Sequence, residues 1–405
     1  MTNTSSQAHG TPSRASQFVD WCVYFSFWST AQSRVAQWSR SRQLVLFSIF
    51  ASIGIAARMW AELQYRNYDF DSYVIVSDAV LAHSNPYESG RYNYGPVWFL
   101  VLAGLRSLAE NPDRFRLAIA MVLMVADVGI AFVLMHRRYL PAGCLLLVSP
   151  VSIAISGQHQ QFDNVAILLA LLAVLFIPKD PLSRLNRSDV AVVALLALSL
   201  ATKHVFIVLP VWLAIQQRSR PRALTYLVAP ALAFGLSFVP FLVMNAESVK
   251  VNVLGYRSSD NAPFLTMLLP DSVAKALALH GLAVPIFLLL LATAGLLYRR
   301  QPAFETTLIY TVSVVVFSSA MADQYLAIAM VGAAVFMNVG FLAWLLLAST
   351  YLAGRESSMG VWGFTQLRPY LTPMDFAAGT YVDLLVPLFV GWLLMTAWLG
   401  RDPRR

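Results

Sequence analysis

The chain has 405 residues, 58% of them hydrophobic and only 12% charged, with a mean hydropathy of +0.61. A soluble domain carries roughly twice that charged fraction, so a water-soluble enzyme is excluded. The net charge of +8 needs no nucleic-acid partner, because Lys and Arg collect in short loops as the positive-inside bias requires.

In chain order, residues 1–42 are read as a cytoplasmic tail containing an interfacial amphipathic helix over 17–40, with Trp and Phe in the lipid boundary. A partly ordered tail is the equal alternative. Arg34, Arg40 and Arg42 interrupt the apolar core that a secretory signal would need. Residues 43–63 form the first span, and residues 64–93, rich in Tyr, Asn, Asp and Pro, form the first outer loop. Further spans fall near 117–135, 139–156, 162–178, 223–244, 276–298, 303–320 and 380–400. The basic stretches "HRR" (136–138), "KDPLSRLNRS" (179–188), "RSRPR" (218–222) and "YRR" (298–300) all belong in the cytoplasm. A full crossing by 94–109 would put "HRR" outside, so that segment is read as a short re-entrant or steeply tilted helix. Residues 190–217 carry basic loops at both ends and read as two short helices meeting near Lys203; residues 324–354 read as two half-length helices. The expected fold is all-α: a single bundle of about 11–13 membrane helices over 43–400, some short or broken, and a cytoplasmic tail at 401–405. The two cysteines, Cys22 and Cys144, imply neither a disulfide framework nor a thiolate metal site.

This topology gathers the awkward polar residues on the outer side: "YDFDSY", "NPYESGRYNYGP" (85–96), "SGQHQQFDN" (156–164), the 245–263 loop, "MADQYL" (321–326) and the break at Lys203 and His204. Ionisable groups at membrane depth are costly and mark a working site by default. Asp69 and Asp71 offer a base, while Lys203, His204 and Arg257 offer contacts to an anionic group such as a lipid phosphate. Gln158, His159, Gln160, Asp163 and Gln324 supply the donors and acceptors a sugar requires, and Tyr87, Tyr92, Tyr94 and Tyr325 add flat faces and hydroxyls. Each has a structural alternative. Asp69 could cap a helix over 70–83 and Asp163 the span that begins there, and Lys203 could snorkel to the interface. Asn85-Pro86-Tyr87 is first of all a turn. Asp127, inside a span, is expected to pair with an arginine such as Arg58 and hold helices together. Two positions apart on a helix, Asp69 and Asp71 point in roughly opposite directions, so one does the chemistry and the other orients or caps.

The run from Asp69 to Trp98, with "DFDSY", "SDA", "NPY" and "YNYGPVW", resembles the first outer loop of integral-membrane GT-C glycosyltransferases. It looks closest to the branches that use polyprenyl-phosphate mannose. "GQHQQFDN" is similar to the family's Gly-Gln-(x)-Asp loop, with a longer insert. "ATKHVFIVLP" resembles its Lys-containing broken helix, and "ADQYL" a late Gln-Tyr element. The resemblance implies a GT-C bundle with an outer-face catalytic cavity and an inverting transfer from a polyprenyl-phosphate sugar to a lipid or glycan acceptor. It makes Asp69 the base, with Asp71 as the alternative, and places the phosphate on Lys203. Metal use varies in the family, which leaves room for Mg2+ or Mn2+ without assigning a ligand. The expected setting is the bacterial cytoplasmic membrane, with the site facing outward. The main rival is a secondary transporter or a flippase of a lipid-linked or small polar substrate. Against it stand the one-sided clustering of polar residues and the lack of an evident internal repeat.

Overall fold

A backbone in lipid must satisfy its own hydrogen bonds, and a helix does so within one segment. The computed structural model describes residues 26–63, 68–109, 111–178, 185–256, 262–354 and 381–401; every regular element among them is helical and none is a strand. Three helices are long and apolar enough to cross a membrane: Arg40–Glu62, Pro112–His136 and Val382–Gly400. Counting each of three bent pairs as one span gives up to six, and by length and composition these helices are those of a helical membrane protein.

The elements are α1 (Ser26–Ala36), α2 (Arg40–Glu62), α3 (Tyr68–Leu81), α4 (Pro96–Leu108) and α5 (Pro112–His136). Next come α6 (Leu140–Val148), α7 (Pro150–Gln158), α8 (Asp163–Leu175), α9 (Arg187–Thr202) and α10 (Leu209–Ile215). The chain continues through α11 (Arg220–Ser237), α12 (Val239–Val249), α13 (Pro263–Leu268), α14 (Asp271–Leu279) and α15 (Ala283–Leu297). It closes with α16 (Ala303–Val316), α17 (Tyr325–Val335), α18 (Val339–Gly354) and α19 (Val382–Arg401).

Three expected straight spans are broken. α6 and α7 bend by 52° at Ser149-Pro150. Pro150 has no N–H to give the preceding turn, and Ser149 before it is extended at ψ 128. α11 and the α12 segment bend by 73°, with Pro240 in the first turn of α12. α14 and α15 meet at 100°, where Gly281 adopts the left-handed φ of 71 that ends a helix. The expected breaks are also present. α9 stops at Lys203, whose backbone is extended (φ −150, ψ 119), and a 3-10 turn at His204–Phe206 leads into α10. α17 and α18 are the two halves of 324–354. The 64–93 stretch is partly helical, since α3 fills its first half and Asn85 caps a 3-10 turn at Pro86–Ser89. α4 has 13 residues, about 20 Å at ~1.5 Å per residue, against a hydrocarbon core of ~30 Å.

At the N-terminal end, α1 is docked on the end of α17: Trp28 Nε1 donates to the Ala334 carbonyl at 2.9 Å and Gln32 Nε2 to that of Val335 at 3.1 Å. It is thus held by protein contacts as well as any lipid boundary. The rest of the 1–42 tail before Ser26, and residues 402–405, lie outside the described residues.

Four helices are tied together by Arg58, which is 1% exposed. Its Nε donates to Asp127 Oδ2 at 2.7 Å and to Ser156 Oγ at 3.0 Å, giving the Asp127 pairing the sequence suggests. Its Nη1 donates to the Leu147 carbonyl at 2.6 Å, an acceptor at the C-terminal end of α6. The arginine therefore serves as both a counter-ion and a helix cap.

Candidate functional site

The site is built around the end of α9. Lys203 Nζ stands 2.7 Å from Asp163 Oδ2, with both side chains almost fully buried. The ammonium also lies 4.9 Å from the ring centres of Tyr94 and Phe162. A buried ion pair bears a heavy desolvation cost, and close geometry with two aromatic faces offsets part of it. Gly95 makes the arrangement possible: a Cβ there would fall 2.2 Å from the Ala201 carbonyl oxygen, so only glycine lets the Tyr94 loop lie against α9.

Asp163 opens α8, and the segment before it is shaped by two devices. The last turns of α7, Ile153–Gln158, are π-helical, and Gly157 there packs against the Arg58 backbone at a distance that leaves 3.1 Å for a Cβ. Gln160 then takes a left-handed φ of 53, uncommon outside glycine. Tyr73 Oη holds it by donating to the Gln160 carbonyl at 3.1 Å, and Gln160 Nε2 donates to the Arg116 carbonyl at 3.2 Å. This turn delivers the next residue: Gln161 Nε2 donates to Asp69 Oδ2 at 2.7 Å.

The two acids of α3 have separate surroundings. Asp69 is half-buried and faces the cluster, whereas Asp71 is exposed. Burial pushes the Asp69 carboxyl above its ordinary value, and the charges of Lys203 and His159 and the Gln161 hydrogen bond pull it part of the way back. The result is a carboxylate that binds a proton more readily than usual.

On the other side of the Tyr94–Lys203 floor lies a cavity of about 640 Å³. Asn93, Tyr94, Lys203, His204, Tyr256, Ser318, Ser319, Gln324 and Tyr325 give it polar lining; Val284, Phe287, Leu288, Val314 and Ile328 give it apolar wall. Tyr94 and Gln324 are joined by a side-chain hydrogen bond. His204 Nδ1 has no hydrogen-bond partner among the described residues. Leu254, Val284 and Leu288 are exposed, so the apolar wall is open toward whatever surrounds the helices.

Not every expected residue arrives here. Tyr87 and Tyr92 are buried, donate their hydroxyls to the carbonyls of Tyr94 (2.9 Å) and Gly95 (2.7 Å), and do not line the cavity. They shape the loop that carries Tyr94. Gln158 is buried in the π turn, and His159 is half-buried and coupled to Asp69 by charge. Lys203, the expected phosphate contact, lines the cavity, and its charge is also answered by Asp163. Neither Asp69 nor Asp163 lines the cavity; both stand behind its floor. Arg257 lies outside the described residues. Gln161, the residue that grips Asp69, is absent from the sequence-based set, as are Asn93, Tyr256, Ser318 and Ser319. The amide run "QHQQ" carries the signal for Gln161 but does not say which amide turns toward the acid. Among the described residues no three His, Cys, Asp or Glu side chains group to hold a metal. Comparison with protein-family models, curated proteins and solved structures gives no match for this chain.

Proposed function

We propose that the protein is a multi-pass glycosyltransferase of GT-C type. It would move a sugar, a hexose such as mannose, from a polyprenyl phosphate to a lipid or glycan acceptor on the outer face of a bacterial cytoplasmic membrane. The observation that carries the reading is Asp69, a half-buried acid held by an amide beside the Lys203–Asp163 pair, with an amphipathic cavity across the Tyr94 floor. In the reaction, the Tyr94 floor that separates Asp69 from the cavity would have to shift so that Asp69 takes the proton of an acceptor hydroxyl while that oxygen bonds to the anomeric carbon. The bond from that carbon to the phosphate oxygen breaks on the opposite face, its electron pair stays on the phosphate, and the anomeric centre inverts. His204, on the cavity wall and with an uncommitted Nδ1, is the group that meets the phosphate; Lys203, with its charge balanced, contributes mainly position. The open apolar wall suits a prenyl chain, and the Tyr94, Gln324 and Tyr325 face suits sugar hydroxyls.

The test is transfer of radiolabelled sugar from polyprenyl-phosphate hexoses to membrane glycolipids in proteoliposomes. Asp69→Asn should lower the rate by about 10²–10⁴-fold, and Asp71→Asn should leave it within a few-fold of wild type. Undiminished transfer by Asp69→Asn removes the mechanism. Label that accumulates inside sealed vesicles without a covalent product replaces the enzyme with a transporter.

A further inference from the structure

A second, much smaller cavity lies deeper in the bundle, between the Arg58 network and the Lys203–Asp163 pair. It has a volume of about 10 Å³ and its polar lining is Asp127, Ser152, Ser156, Gln161, Asp163 and Asn164, with apolar residues completing the wall. Three oxygens on this lining, Gln161 Oε1, Asp163 Oδ1 and Asn164 Oδ1, receive no hydrogen bond from any described residue, and their residues are 3%, 1% and 6% exposed. The amide orientations follow from their neighbours. Gln161 Nε2 must face Asp69 Oδ2 at 2.7 Å, and Asn164 Nδ2 must face the Leu123 carbonyl at 2.8 Å and Asp127 Oδ1 at 2.9 Å, all of which only accept. The oxygens of both amides are thereby turned elsewhere, and the second oxygen of Asp163 is taken by Lys203. We infer that this cavity is a binding site for one monovalent cation of the size of sodium, held by Gln161, Asp163 and Asn164.

The chemistry selects the ligand. The space corresponds to about one water-sized sphere. A water molecule has two hydrogens for three acceptors, whereas a cation satisfies all three. Mg2+ holds several of its own waters, for which there is no room, and the single carboxylate oxygen on offer suits one positive charge rather than the two of Ca2+. The charge balance points the same way. Asp127 is answered by Arg58 and Asp163 by Lys203, while Asp69 takes the neutral Gln161 amide and also feels the charges of Lys203 and His159. A single positive charge next to Gln161 would add to that compensation.

The experiment uses the purified full chain in nanodiscs, at constant ionic strength with choline as the replacement ion. Expected are saturable binding of 22Na+, at one ion per chain, displaced by unlabelled Na+ and not by Mg2+, and a Tm that rises by a constant step for each tenfold increase in Na+ beyond half-saturation. Gln161→Met and Asn164→Leu should each lose binding and the Tm response, whereas Ser318→Ala, on the larger cavity, should keep both. If Asn164→Leu does not fold, Gln161→Met alone decides. Equal Tm in sodium and choline with no saturable 22Na+ would overturn the inference and make the cavity a water site. Unchanged binding in a folded Gln161→Met variant would overturn it as well. Sugar transfer is a separate readout, so a chain that binds sodium but transfers nothing leaves this inference standing and ends the previous one.

Discussion

Asp69 and Asp71 are chemically identical and two residues apart, yet the helix turns one toward Gln161 and leaves the other exposed. The environment of Asp69 has a directional consequence for pH. As the proposed base, Asp69 must be ionised, so the rate should fall as pH drops through a value raised above the acid's ordinary one. The Gln161 hydrogen bond lowers that value, so Gln161→Leu should move the acid limb of log kcat/KM toward higher pH. Stability carries the opposite sign. A carboxyl whose folded pKa is raised favours folding while protonated and loses that contribution as pH rises through the folded value. Asp69→Asn should therefore melt at the same temperature as wild type or higher at pH 7, with any difference narrowing in acid. An inactive but unharmed variant is what a stressed functional acid produces. The acids were legible in the sequence because charge is scarce in this chain. Gln161 was not, because a left-handed Gln160 decides which of four neighbouring polar side chains meets Asp69, and that turn depends on Tyr73 and Arg116 from distant segments.

Among the elements, the break between α9 and α10 was readable from basic residues at both ends of a segment too short for two crossings. The bends at Ser149-Pro150 and Gly281 were not, since an apolar run with one Pro or Gly reads the same whether straight or folded back. Tyr87 and Tyr92 illustrate a related ambiguity. Loop tyrosines suit a sugar site, but here they fill the core beneath Tyr94, against Phe99 and its neighbours. The α9 terminus permits two stability predictions. Lys203→Met leaves Asp163 buried and unpaired and should cost about 3–5 kcal/mol; Lys203→Met with Asp163→Leu should recover much of that loss, as read by denaturation in detergent. Gly95→Ala drives a methyl into the Ala201 carbonyl and should cost about 1–3 kcal/mol by the same measurement.

At the scale of the molecule, the proposed orientation, argued from the basic loops, would put α3 outside and the α10–α11 connection inside. Cysteine labelling on a Cys22→Ser background checks this, since Cys144 is buried. Asp71→Cys should react with a membrane-impermeant maleimide in intact cells, and Arg220→Cys only after permeabilisation; both positions are exposed. The reverse pattern inverts the topology and moves the cluster to the cytoplasm. The larger cavity, at about 640 Å³, sets one more property through its unsealed apolar side, where Val284 and Leu288 face outward. A lipid carrier seated there would commit its head and first prenyl units to protein and leave the remaining tail in the bilayer. Such an enzyme has no ruler for its carrier. Short synthetic prenyl phosphates should turn over as well as long ones, down to the length at which they cease to partition into the membrane.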